Sequence, residues 1–368
     1  MTMRLLYFSD NNSDHNRRFL AKLSFSMHEV FYLSLAGAPP LGFLPDGVRL
    51  VDSSATFPRH TPPSVLKSFV PELRKIAAKI KPDVIQAGAI QSCAYLSALA
   101  GIRPILAMSW GSDILVDADR DAEWQDATRI ALAGAEGLFC DCDTVREKVL
   151  HISKKTFKHI VQFPWGIELG VFSSEGPKKL LPWSSGNFVL ICTRALEVSY
   201  GADVLVEAFR LAYLSNGRLR LLLLGSESYE SQIRKFAEDN RLSDKILIVG
   251  NATRNEMPEY FRAADAYLSC TPQDGSSISL LEALATGLPA IVADNPSNRE
   301  WLSESVNGWF GKIKSPQSFS EKILEVASLN AAARDRALDL SVETVRSRAN
   351  WDENFPLLLS AYEELVSK

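Results

Sequence analysis

The chain has 368 residues, 46% of them hydrophobic and 23% charged, with a formal net charge of −4. That length exceeds what one hydrophobic core usually organises, so two domains are expected. The composition excludes a disordered chain, and the slight negative charge argues against a protein that binds nucleic acid by neutralising phosphates.

The N-terminus, "MTMRLLYFSD", turns polar too soon for a signal peptide. "RLLYFS" reads as a strand, and the loop "SDNNSDHNRRF" leads from it into the helical pattern "DHNRRFLAKLSF". His15, Asn16 and Arg17 stand at that strand-to-helix edge, where a contact to acceptor or donor competes with a local reading: Asp14 caps the helix and the rest is solvated. Further strands are expected at "EVFYLSL", "DVIQAG", "PILAMSW" and "EGLFCD", with the amphipathic stretch "SVLKSFVPELRKIAAKI" between. Lys67, Arg74, Lys75, Lys79 and Lys81 flank that stretch, and Lys154, Lys155 and Lys158 cluster later. Contact with an anionic membrane surface is weighed there against an ordinary solvated helix face. The stretch from Pro82 to Ile102, which has no basic residue before Arg103, carries Asp83, Gln86, Gln91 and Ser92 and reads as a buried strand plus core helix, not a membrane span. The five cysteines form neither a metal quartet nor a disulfide framework. A soluble protein of the cytoplasm is expected, at most peripheral to the membrane.

"FSSEGPKKLLPWSSGN" reads as a linker. The rhythm then restarts with strands "FVLICT", "LRLLLLG", "KILIVG", "AYLSC" and "PAIVAD", separated by helical patterns. Strands that are nearly all apolar and alternate with helices imply parallel sheets covered on both faces. The expected architecture is α/β, two doubly wound domains facing a central cleft: residues 1–172, a linker at 173–186, residues 187–345, and a C-terminal helix at 346–368 packing back toward the first domain. In such sheets ligands bind beyond the carboxyl ends of the strands.

One stretch at such an end stands out. "DGSSISLLEALATG", residues 274–287, runs from a carboxylate through small residues into a helix that carries Glu282, with Gly287 at its end. A local reading makes Ser279-Leu280-Leu281-Glu282 a capping box. The alternative is an anion site, because helix N-termini present free N–H groups and the positive end of the dipole. Gly275, Ser276 and Ser277 are small enough to let a ligand reach the backbone. Arg194, directly after "FVLICT", tips the balance toward the anion, since a guanidinium at the same sheet edge binds phosphate with two N–H groups. The competing partner for Arg194 is Glu197.

These residues resemble the retaining glycosyltransferases of family 4, of GT-B fold. The likeness rests on Asp274 and Glu282 separated by seven residues, "LLEALATGLPAIVAD", "SVNGWF", "TRALEVSYG", "FPWGIELGVF" and "WGSDI". It implies that Arg194 binds the donor diphosphate, Glu282 the ribose hydroxyls, and Asp274 the donor sugar near its anomeric carbon. Backbone at Gly275, Ser276, Ser277, Ser279 and Leu280 would contact sugar and phosphate, Gly250 and Asn251 would lie near the nucleobase, and Asp113 would face the sugar. Three positions depart from the family pattern: Asp274 stands where glutamate is usual, Tyr200 where a phosphate-binding lysine is usual, and Trp110 where a histidine is frequent.

The reading that follows is transfer of a sugar from a UDP- or GDP-linked donor to a glycan or lipid-linked acceptor, in cell-surface polysaccharide or glycoconjugate synthesis. No metal and no other cofactor is expected, because fixed N–H donors and an arginine can stabilise a departing diphosphate. Whether Asp274 is a nucleophile or an orienting group stays open. The rivals are a sugar-nucleotide 2-epimerase of the same fold, which needs histidines that the second half lacks after His159, and an inactive relative that only binds the nucleotide sugar.

Overall fold

The computed structural model describes residues 2–183, 185–225 and 228–367. Two compact units make up the chain: residues 1–165 with 353–368, and residues 166–352.

The first unit is built on a sheet of seven parallel strands: β1 (Arg4–Ser9), β2 (Glu29–Ser34), β3 (Val48–Leu50), β4 (Val84–Gly88), β5 (Ile105–Met108), β6 (Gly137–Cys140) and β7 (His159–Gln162). Their order across the sheet is β3-β2-β1-β4-β5-β6-β7. The second unit has β8 (Phe188–Cys192), β9 (Leu219–Leu224), β10 (Ile246–Gly250), β11 (Ala266–Ser269), β12 (Ala290–Ala293) and β13 (Gly308–Gly311), in the order β10-β9-β8-β11-β12-β13. Each sheet therefore grows outward from its first strand in one direction and then in the other. The reversal falls between β1 and β4 in one unit and between β8 and β11 in the other, and such switch points open a crevice at the carboxyl ends of the strands.

Apolar strands explain the burial. In the second sheet Leu190, Leu221, Leu268 and Ile291 enter the core on one face. Their neighbours Ile191, Leu222, Tyr267 and Val292 enter the core on the other, as a period of two requires. The covering helices are amphipathic. In Asp14–Ser24, Phe19, Leu20 and Leu23 are buried on one stripe, each contributing about 1.5–3 kcal/mol by leaving water. Strands β3, β7 and β13, absent from the sequence-based expectation, are short pieces, "VRL", "HIVQ" and "GWFG", with no apolar run to announce them.

The change of unit comes at Trp165/Gly166, seven residues before the expected limit of 172. The reason is packing. Ile167 and Phe172 belong to the second unit's core, and the Ile167 N–H donates to Ala349 O at 2.7 Å. At the other end the helix Ala331–Arg348 continues past the expected limit of 345. The following helix, Trp351–Val366, buries Leu358, Ala361, Tyr362 and Leu365, and its residues from 353 onward belong to the first unit.

Candidate functional site

In the second unit the loops after β8 and β11 meet at the switch point. Arg194, two residues past β8, is the centre of that junction. Its Nη2 lies 2.8 Å from Asp274 Oδ2. Its Nη1 donates to Ser277 Oγ at 3.1 Å and approaches Ser279 Oγ at 3.5 Å. The Tyr200 ring centroid stands 4.7 Å from its guanidinium carbon, a cation–π distance. Both charged side chains are largely covered, Arg194 at 16% and Asp274 at 22% exposure. The expected competitor Glu197 instead accepts from Ser199 Oγ at 2.9 Å.

The capping box does not form. The helix is Ile278–Ala285, its N-cap is Ser277, and no side-chain cap bond is made. Ser279 lies inside the first turn, with its hydroxyl 2.8 Å from Tyr267 OH and 3.1 Å from Ser277 Oγ. The serine hydroxyls thus serve Arg194 and one another, leaving the first backbone N–H groups, which have no intrahelical acceptor, for another partner. Gly275 N–H donates to Asp274 Oδ1 at 3.0 Å, while Ser276 Oγ accepts from Trp301 Nε1 at 3.0 Å, fixing the loop from behind. Leu280, at 1% exposure, anchors the helix start in the core. Gly287 adopts φ +83° just past the helix, as expected of C′.

Glu282 projects from the middle of this helix and is buried, 6% exposed. Arg254, a residue the sequence reading passed over, reaches it: Arg254 Nη1 is 3.4 Å from Glu282 Oε1. Nearby, Gly250 ends β10 with φ +82°, and its carbonyl accepts from Gly225 N–H at 2.9 Å. Gly225 was also missed. A Cβ there would stand 2.9 Å from Arg194 O, so the loops after β8, β9 and β10 converge only because a glycine lies between them. Asn251, next to Gly250, is exposed.

The remaining residues singled out from the sequence lie in the first unit. Asp113 is buried, and its carboxylate is taken up by its own surroundings: Oδ1 accepts from Ser109 Oγ at 2.6 Å and from Ile114 N–H at 3.0 Å, and Oδ2 accepts from Ile90 N–H at 3.1 Å. Burial pushes its carboxyl up to about 6, against the pull of these hydrogen bonds. Asn16 is also fully buried. It accepts from Tyr7 OH at 2.8 Å and donates to Ser9 Oγ at 2.7 Å and Asn11 O at 2.9 Å, which makes it the tie between β1 and the first loop. Ser13, not Asp14, caps the helix, its hydroxyl accepting from Asn16 N–H. Arg17 is exposed. The His15 ring lies 6.4 Å from that of Trp110.

A crevice of about 630 Å³, counting the space open to solvent, lies at this unit's own switch point. Asp10 after β1, Trp110 after β5, Arg59, His60, Asp117 and Trp124 are among its walls. Burial raises the carboxyls of Asp10 and Asp117, and Arg59 and His60 pull both back down. Of the basic residues noted in the sequence, Arg74 and Lys155 are engaged in donating to helix-terminal carbonyls, Leu99 O and Ala133 O respectively. Among the described residues no cluster of three or more His, Cys, Asp or Glu could hold a metal ion, and no helix is long and apolar enough to cross a membrane.

Comparison with known proteins bears on this geometry. Residues 177–338 match the family "Glycosyl transferases group 1", and residues 4–141 match "Glycosyl transferase 4-like". The alpha-monoglucosyldiacylglycerol synthase of Streptococcus pneumoniae is 22% identical over 230 residues, 60% of this chain and 52% of that protein. The chain spans about half or less of the length of the curated relatives it matches. Among solved structures, sucrose-phosphate synthase from Thermosynechococcus elongatus superposes with a TM-score of 0.80 at 16% identity, covering 98% of this chain and 99% of that one. Anabaena Alr3699/HepE in complex with UDP gives 0.77 at 14% identity, covering 99% and 100%. The matched segments take in both units, and the second contains Arg194, Asp274 and Glu282. The chain belongs to the group 1, family 4-type glycosyltransferases, with two Rossmann-like domains of the GT-B kind.

Proposed function

We propose that the protein transfers a sugar, with retention of anomeric configuration, from a UDP- or GDP-linked donor to a hydroxyl of a glycan or lipid-linked acceptor. The observation that carries this reading is the Arg194 guanidinium, held between Asp274 and the Ser277 hydroxyl at the start of the Ile278–Ala285 helix. A departing diphosphate needs its developing charge met by donors already in place, and an arginine fixed beside a helix N-terminus supplies them. Asp274 acts as an orienting and electrostatic group. A carboxylate whose oxygen is engaged by a guanidinium at 2.8 Å has that lone pair occupied and is correspondingly a poor nucleophile. The first-unit crevice, with carboxylates and indoles on its walls, takes the acceptor. Synthesis of a membrane lipid, as in the name of the S. pneumoniae relative, fits a protein working at the cytoplasmic face, and the exposed Lys67, Lys75, Lys79 and Lys81 are the surface that would meet anionic lipid. The epimerase alternative lacks support, since all five histidines precede residue 160. Incubation with a panel of radiolabelled nucleotide sugars, with and without lipid and glycan acceptors, tests the reading. Neither hydrolysis nor transfer of any of them would leave only an inactive binder.

Two expectations accompany it. Activity survives excess EDTA; a loss that magnesium or manganese restores would show a metal held in part by the donor's own phosphates. Glu282→Ala weakens nucleoside diphosphate binding, measured by calorimetric titration, by more than its effect on the melting temperature accounts for. Unchanged affinity in the folded variant would remove the ribose role.

A further inference from the structure

Beyond the residues already placed at the donor site, Arg254 occupies an unusual position. Its Nε and Nη2 each lie 2.8 Å from Glu168 Oε2, its Nη1 lies 3.4 Å from Glu282 Oε1, and the Phe172 ring centroid is 5.1 Å from its guanidinium carbon. Three separate pieces of chain therefore converge on one side chain: the segment that enters the unit, through Glu168 and Phe172; the loop after β10, which carries Arg254; and the Ile278–Ala285 helix, through Glu282. Phe172 is buried at 1% exposure and Glu282 at 6%, so two of the three are rigid. A planar guanidinium on an aromatic face, with one edge fixed on Glu168, has little freedom left, and its remaining nitrogen is delivered to a single oxygen of Glu282.

We infer that Arg254 is a positioning residue for nucleotide recognition: it holds the Glu282 carboxylate charged and turned so that it accepts hydrogen bonds from the ribose hydroxyls of the donor. This rests on the ribose role proposed for Glu282. A cation beside a covered carboxylate offsets the cost of burying its charge, and a hydrogen bond to a charged acceptor is stronger than one to a neutral acceptor. The arrangement therefore selects for ribose. An arginine that served only to tie the entry segment to the unit would act on stability and not on that choice.

The test compares uridine and guanosine diphosphates with their 2′-deoxy counterparts by calorimetric titration, on the wild type and on Arg254→Gln, Arg254→Lys, Glu168→Gln and Glu282→Ala. In the wild type the ribonucleotide is expected to bind at least about tenfold more tightly than the deoxynucleotide. Arg254→Gln is expected to bring that ratio to within about twofold of one, chiefly by weakening the ribonucleotide. Arg254→Lys restores part of the ratio, and Glu168→Gln lowers it in the same direction to a smaller degree. In turnover, Arg254→Gln raises donor KM with little change in kcat. If Glu282→Ala abolishes the ratio while Arg254→Gln leaves it intact, the positioning role is overturned and the ribose role stands. If Glu282→Ala leaves the ratio intact, or if neither diphosphate binds the wild type, the ribose role falls and this inference with it. Loss of melting temperature in Arg254→Gln with an unchanged ratio also overturns it, as a purely structural link.

Discussion

Replacing Arg194 with alanine is expected to lower kcat by about 10²–10³, the usual loss when one preorganised donor to a developing anion is removed. The expectation rests on burial and on geometry. The guanidinium is 16% exposed and already fixed by Asp274 and Ser277, so little reorganisation is needed when charge moves onto the phosphate oxygens. In the proposed reaction its interaction with the diphosphate strengthens as the glycosidic bond breaks, so donor KM is expected to change less than kcat. Arg194→Lys recovers only part, because an ammonium cannot make the two-pronged contact. Tyr200 gives an internal control. Its ring lies against the guanidinium at 4.7 Å, so a lysine at that position stands beside the same anion. Tyr200→Lys is therefore expected to return some rate to the Arg194→Ala enzyme. Initial rates over a range of donor concentrations measure all of this. An Arg194→Ala enzyme within threefold of wild type in kcat would leave the helix N-terminus as the principal anion site.

Gly201→Ala is expected to cost about 2–4 kcal/mol of stability, the sum of a left-handed backbone penalty and overpacking. Gly201 adopts φ +76°, and a Cβ there would lie 2.4 Å from Cys270 O, a backbone atom that moves only with β11 and its loop. The crossing is also close to the site. Thr271 Oγ1 donates to Tyr200 O at 3.2 Å beside it, so parting the two segments is expected to pull the Arg194–Tyr200 loop away from Asp274. A melting temperature lower by about 5–15 °C and a reduced kcat/KM are expected together. Gly217 is the control, having an ordinary φ and no atom within 4 Å of its Cβ position. Gly217→Ala stays within about 0.5 kcal/mol of wild type. If both alanines melted alike, the close approach at Gly201 would carry no weight.

Much of this was legible in the sequence for a physical reason. Parallel strands buried on both faces must be apolar throughout, so "RLLYFS" and "FVLICT" announce themselves, and the first polar residues after them mark the ligand edge. Arg194 stands at that edge, two residues past β8, and Asp274 stands out by the run of small residues that follows it. What escaped has an equally physical cause. β13 is four residues bounded by glycines, too short for any period to appear. Arg254 stands in a polar loop among Asn251, Thr253 and Asn255, and nothing in that string shows that its partners are Glu168 and Glu282, 86 and 28 residues away. The serines of "DGSSIS" fit a helix cap as well as a ligand loop by pattern alone, and only the three-dimensional placement of Arg194 and Tyr267 decides where their hydroxyls go. Asn16 is the reverse case. Its place at a strand-to-helix edge suggested a ligand contact, but four hydrogen-bonding neighbours close around it.

The Trp351–Val366 helix has a bearing on the order in which the protein can be made. Tyr362 OH bonds Gln86 on β4, and Glu364 pairs with His159 on β7 at 2.5 Å. Leu365 packs so close to Gly137 on β6 that a Cβ there would stand 3.1 Å from its methyl. The sheet of the first unit thus gains part of its cover from residues synthesised after the whole of the second unit, which is one continuous stretch, residues 166–352. At about 5–20 residues per second, roughly 10–40 s pass between the synthesis of Trp165 and that of the closing helix. For that interval the nascent first unit lacks the side chain that Leu365 sets against Gly137 on β6. The unit begun first is thus completed after the second, and of the two it is the one that would more need a chaperone's shelter during translation.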